Sequence, residues 1–128
     1  MKHILVVDDD VGIRDLLTAI LEREGYEVSA AADGKEAIRL FRRNPSDLII
    51  TDIIMPEQEG LKTISDLRRA HPDVRIIAIS GGGQYGLGEY LDVATALGAD
   101  QTFAKPFDRL ELVKAVRKLL SHKRSPVV

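Results

Sequence analysis

Three acids stand side by side at Asp8-Asp9-Asp10, directly after an apolar run, and a further acid, Asp52, follows another. Ser80 closes a third apolar run, and Lys105-Pro106 follows a fourth. Two carboxylates ~4 Å apart repel by about 4 kcal/mol at an effective dielectric near 20. Acids gathered from two such runs therefore need a cation or a proton. Oxygen donors with no His or Cys beside them favour Mg²⁺, or Mn²⁺, over zinc. Magnesium usually keeps several waters and serves a phosphate. Lys105 then makes sense as the counter-charge of a phosphoryl group, and Ser80 as a donor to one of its oxygens. None of this operates unless the chain brings the four places together.

Five β-like runs alternate with five helix-like runs: His3–Val7, Tyr26–Ala30, Asp47–Thr51, Val74–Ile79 and Gln101–Ala104 are the candidate strands. Ile13, Leu16, Leu17, Ile20 and Leu21 form one helical stripe, with Gly25 as its stop. Asp33 with Glu36 reads as a capping pair before Ile38 and Phe41, and Asn44-Pro45 ends that helix. Leu61, Ile64 and Leu67 make a third stripe. Tyr90, Val93, Ala94 and Leu97 make a fourth, capped by Gly98. Asp108 with Glu111 opens the fifth, whose face carries Leu112, Val113, Val116, Leu119 and Leu120.

Strict βα alternation implies a parallel sheet with helices on both faces. Runs one, three and four are almost wholly apolar and should be central. Run two alternates Tyr26, Val28 and Ala30 against Glu27 and Ser29, and run five is short and polar at its start, so these two should be edges. Edges at two and five fit an α/β doubly wound, flavodoxin-like five-stranded sheet in the order 2-1-3-4-5. The crevice between strands one and three then collects the acids, Ser80 and Lys105. Strands lie ~4.8 Å apart, so a lysine from strand five must span most of ~10 Å to reach Asp52.

Composition narrows the function classes. The 128 residues make one domain. A chain of that length buries roughly two-thirds of its unfolded surface without a metal or disulfide. A net charge of −2 leaves no electrostatic footprint for nucleic acid, and Lys114, Arg117, Lys118, Lys123 and Arg124 read as a solvated helix face. There is no cysteine, and the N-terminal residues do not read as a signal peptide. A cytoplasmic location is expected. His3, His71 and His122 are scattered and read as structural or solvated. Residues 122–128 are expected to form a polar tail behind a domain spanning 1–121.

Taken in order, Val6-Val7-Asp8-Asp9, Asp52 with Met55-Pro56 and Gly60, Ser80, and Lys105-Pro106-Phe107 resemble the receiver domain of bacterial two-component response regulators, from Lys2 to about Leu120. The resemblance implies that Asp52 accepts phosphate from a histidine kinase or histidine phosphotransfer protein. It implies that Asp9, Asp52 and the main-chain carbonyl of Ile54 ligate Mg²⁺, with Asp8 acting through water. Ser80 and Lys105 would bind phosphoryl oxygens, and the Lys105–Pro106 peptide would be cis. The domain would signal rather than turn over substrate, catalysing only its own phosphorylation and dephosphorylation. Its output face would be the fourth helix, fifth strand and fifth helix, offered to a downstream target as a monomer or a phosphorylation-dependent dimer. No direct nucleic-acid or membrane binding is implied. The chain ends after the fifth helix, so it reads as a stand-alone receiver or a receiver cut from a larger protein.

Two departures stand out. Thr102 occupies the position, three before the lysine, where the family often carries Tyr or Phe. The stretch after Ser80 is crowded with Gly81, Gly82, Gly83, Gly86 and Gly88, and Gly81, Gly82 and Gly83 with Thr102 form the expected switch region. Two rival classes share some of the pattern. A haloacid-dehalogenase-type phosphatase would use Asp8 as nucleophile and Asp10 as acid, leaving Asp52 unexplained. A flavodoxin-like FMN module would need a neutral or basic first loop where this one is acidic.

Overall fold

Nearly continuous apolar strands rich in β-branched residues must be covered on both faces. The computed structural model describes residues 1–53, 59–80 and 87–121, with backbone alone at 59 and 87–91. In it β1 (His3–Val7), β3 (Leu48–Asp52) and β4 (Arg75–Ser80) are buried along their whole length. β2 (Glu27–Ala31) and β5 (Gln101–Ala104) are only partly buried. The sheet runs β2-β1-β3-β4-β5, every neighbouring pair parallel. This is the flavodoxin-like order expected from the two polar edges.

The helices divide between the two faces by strand alternation. Ile4, Val6, Leu48, Ile50, Ile77 and Ile79 face α1 (Val11–Arg23) and α5 (Arg109–Ser121) through Leu17, Leu21, Leu112 and Val116. Leu5, Val7, Ile49, Ile76 and Ala78 face α2 (Gly34–Arg43), α3 (Glu59–Ala70) and α4 (Leu87–Leu97) through Ala37, Phe41, Ile64, Leu67 and Ala94. Local signals set the helix ends. Asp33 Oδ1 accepts from Glu36 N at 2.8 Å and Asp108 Oδ1 from Glu111 N at 3.1 Å. Gly25 and Gly98 end α1 and α4 at φ +94° and +122°, a backbone region that disfavours a Cβ. Among the described residues, no helix is long and apolar enough to cross a membrane.

Some expectations need correction. β2, β3 and β4 each begin and end one residue later than their apolar runs suggest. Tyr26 N is held by Leu21 O at 3.2 Å, and Val74 N by His71 O at 3.3 Å, so both residues belong to the preceding turns. In β2 the pattern differs from simple alternation. Ala30 is exposed, Ala31 is buried, and Ser29 is half-buried because its Oγ bonds His3 Nε2 at 2.8 Å. Leu16 and Val93, assigned to helix stripes, are 48% and 44% exposed. Each lies at the margin of its helix's apolar arc, one residue before a buried neighbour.

Candidate functional site

The site forms where β1, β3 and β5 end. Asp8, 2% exposed, continues β1 by donating its N–H to Ala31 O at 3.1 Å. Both of its carboxylate oxygens are engaged: Oδ1 accepts from Asp10 N at 2.9 Å and Oδ2 from Lys105 Nζ at 2.8 Å. Asp10 turns away to cap α1, its Oδ1 accepting from Gly12 N at 2.8 Å and Ile13 N at 3.3 Å. Asp52 is the last residue of β3 and is 5% exposed. Its Oδ2 lies 3.3 Å from Lys105 Nζ. One carboxylate oxygen from each of Asp8, Asp9 and Asp52 falls within 4.8 Å of the others.

Lys105 reaches this cluster from just beyond β5. Its main-chain N–H donates to Ser80 O at 2.7 Å, and the Lys105–Pro106 peptide is cis. Burial alone pulls the lysine's pKa down. Its hydrogen bond to Asp8, the charges of Asp52 and Asp8, and the bond to Asp52 together outweigh that, so the pKa lies above the ordinary lysine value. The group is therefore an ammonium at neutral pH. Ser80 ends β4 in the strand next to Asp52, fully buried, and its Oγ has no hydrogen-bond partner among the described residues. A buried hydroxyl left unpaired is costly, and a ligand oxygen would satisfy it.

Three carboxylates, two of them buried, with no nitrogen or sulfur donor among them, fit a hard divalent cation such as Mg²⁺. The structure therefore gathers Asp8, Asp9, Asp52 and Lys105, with Ser80 on the adjacent strand. Ile54, Met55, Pro56 and Gly81–Gly83 lie outside the described residues, as do residues 122–128. Thr102 is half-buried opposite Ala78, whereas Phe103 packs into the α1/α5 core on the other face, as strand alternation requires. Two further contributors emerge from the structure: Arg14, which carries no signal of its own in the sequence, and Gly60, which the resemblance names without giving it a role. Arg14 Nη1 donates to Asp8 O at 2.7 Å. Gly60 lies so close to the end of β3 that an added Cβ would sit 2.6 Å from Ile53 Cα and closer still to the Asp52 carbonyl oxygen.

Comparison with known proteins agrees with this fold. Residues 4–117 match the family model of the response regulator receiver domain. A probable transcriptional regulator, ycf27, of Cyanophora paradoxa is 38% identical over 129 residues, covering 99% of this chain and 52% of that protein. The response regulator SaeR of Staphylococcus aureus (strain USA300) is 37% identical over 121 residues, covering 94% of this chain and 51% of that protein. The crystal structure of a CheY-like receiver domain protein from Methanospirillum hungatei superposes with a TM-score of 0.85 at 30% identity, over 94% of each chain. The chain belongs to the response regulator receiver domains, a family of signalling domains. It spans about half the length of the curated relatives it matches.

Proposed function

We propose that this receiver accepts a phosphoryl group on Asp52 from a histidine kinase or histidine phosphotransfer protein, in a reaction that depends on Mg²⁺. The observation that carries this reading is the convergence of Asp52 with Asp8 and Asp9 under the ammonium of Lys105. An Asp52 carboxylate oxygen attacks phosphorus, a P–O bond forms, and the bond to the donor's imidazole nitrogen breaks. Transfer of this kind asks little of the protein beyond positioning and charge neutralisation. Asp9, Asp52 and the Ile54 carbonyl would hold Mg²⁺, with Asp8 acting through water. The ion supplies positive charge to the transferring oxygens. Lys105, already aimed at Asp52, pairs with one phosphoryl oxygen, and the unpaired Ser80 hydroxyl donates to another.

Phosphorylation adds ≈ −1.5 to −2 charge. Recruitment of Ser80 and Lys105 to that charge favours one arrangement of α4, β5 and α5, which a downstream protein reads. Residues 1–121 form the receiver and 122–128 a polar tail. The phosphatase alternative finds less support, because Asp10, the acid it requires, is spent on capping α1. The test is intact mass after incubation with acetyl phosphate and Mg²⁺, followed by peptide mapping. One phosphoryl group is expected on the peptide holding Asp52, and Asp52→Asn abolishes it. Labelling that survives Asp52→Asn and disappears with Asp8→Asn would overturn the proposal.

A further inference from the structure

Asp9 is the exposed member of the acidic cluster, and no donor among the described residues hydrogen-bonds its carboxylate. The backbone therefore fixes where its Cβ starts, and the two side-chain torsions choose among staggered wells from there. Both peptides that flank it are held. The Asp9–Asp10 peptide donates its N–H to Asp8 Oδ1 at 2.9 Å. The Asp8–Asp9 peptide gives its carbonyl oxygen to Arg14 Nη1 at 2.7 Å. Arg14 sits one turn into α1, where its own N–H bonds Asp10 O at 3.0 Å, so the helix carries the guanidinium back over the loop from which it starts.

We propose that Arg14 is a positioning residue for the divalent cation: it clamps the Asp8–Asp9 peptide and so aims the carboxylate of Asp9 at the position shared with Asp52. This rests on the cation reading of the site. It also has a sign that separates it from simple electrostatics. Arg14 bonds a neutral carbonyl, not a carboxylate. If only its charge mattered, it would compete with the ion, and removing it would tighten binding. If it positions Asp9, removing it loosens binding.

The test is a double-substitution cycle on the full chain, with Mn²⁺ alone as the probe and binding read by electron paramagnetic resonance of the free ion. Arg14→Gln is expected to weaken Mn²⁺ binding by roughly tenfold, the low end of what is lost when a ligand's orienting partner is removed. In an Asp9→Asn background the same change is expected to cost less than about twofold, because the group it aims is no longer a carboxylate. Equal losses in the two backgrounds, or tighter binding after Arg14→Gln, overturn the proposal while leaving the cation site standing. No Mn²⁺ binding by the unsubstituted protein overturns the cation reading itself, and this inference with it. Circular dichroism checks the fold of each variant. Should Arg14→Gln unfold, Arg14→Lys carries the same cycle, with a smaller loss expected because one donor remains.

Discussion

Replacing Lys105 with methionine should make the acidic pocket bind Mg²⁺ more tightly. Oxygens of Asp8, Asp9 and Asp52 within 4.8 Å of one another imply a repulsion of at least about 3.5 kcal/mol per pair at an effective dielectric near 20. The ammonium, 2.8 Å from Asp8 and 3.3 Å from Asp52, returns about 6 and 5 kcal/mol on the same scale. These Coulomb terms nearly cancel, so Lys105 already does much of what an added cation would do. Methionine has a similar length and no charge. Its introduction uncovers the repulsion and leaves a divalent ion as the remaining counter-charge. Solvent at the exposed Asp9 and movement of the side chains reduce the effect, so we expect a gain of at least about tenfold, or ~1.4 kcal/mol. Calorimetric titration of both proteins with MgCl₂ at neutral pH measures it. In EDTA the variant should melt below the parent, and Mg²⁺ should narrow that gap. Phosphorylation by acetyl phosphate should nevertheless slow, since the lysine is lost from the phosphoryl oxygens. An unchanged or weaker Mg²⁺ affinity in a folded variant would refute the reasoning.

Gly60→Ala is expected to destabilise the protein by roughly 2 kcal/mol or more, because the new methyl meets backbone that cannot give way. Urea unfolding reads the stability loss, and Mg²⁺ titration should show weaker binding as the end of β3 shifts. An unchanged urea midpoint would count against the close approach. The raised pKa of Lys105 has a definite consequence for alkaline stability. A group whose folded pKa lies above its unfolded value contributes fully below the unfolded value, about 10.4 for lysine, and loses that contribution as pH rises through the folded one. In EDTA, the stability difference between the parent and Lys105→Met should therefore hold constant up to about pH 10 and shrink beyond it. A difference that disappears below that range would show that the ammonium is not what holds the acids together.

Signals that act within a few residues were readable directly. Alternating apolar runs name the strands, polar edges order them, and Asp33, Asp108, Gly25 and Gly98 mark helix ends where the backbone needs an acceptor or a positive φ. Because ligands of such sheets gather at the carboxyl ends of the strands, the order of the apolar runs alone assigns the acids, Ser80 and Lys105 to one crevice. Interactions between distant residues were not readable. Arg75 looks like a solvated charge at the start of an apolar run. In the fold it is 6% exposed, and its Nε bonds Leu119 O at 3.0 Å, fastening α5 to β4. Arg68 likewise gathers the carbonyls of Gly98, Pro72 and Val74 and the carboxylate of Asp100. Arg14 belongs to the same class. A residue's type records what it can donate or how little room it takes. Which carbonyl it meets depends on packing elements that are far apart along the chain. Residue types and their order therefore specify the chemistry available to this protein, whereas the two hydrogen bonds on the Asp8 carboxylate, the exposure of Asp9 and the bond to the peptide between them exist only once helix and sheet have closed on one another.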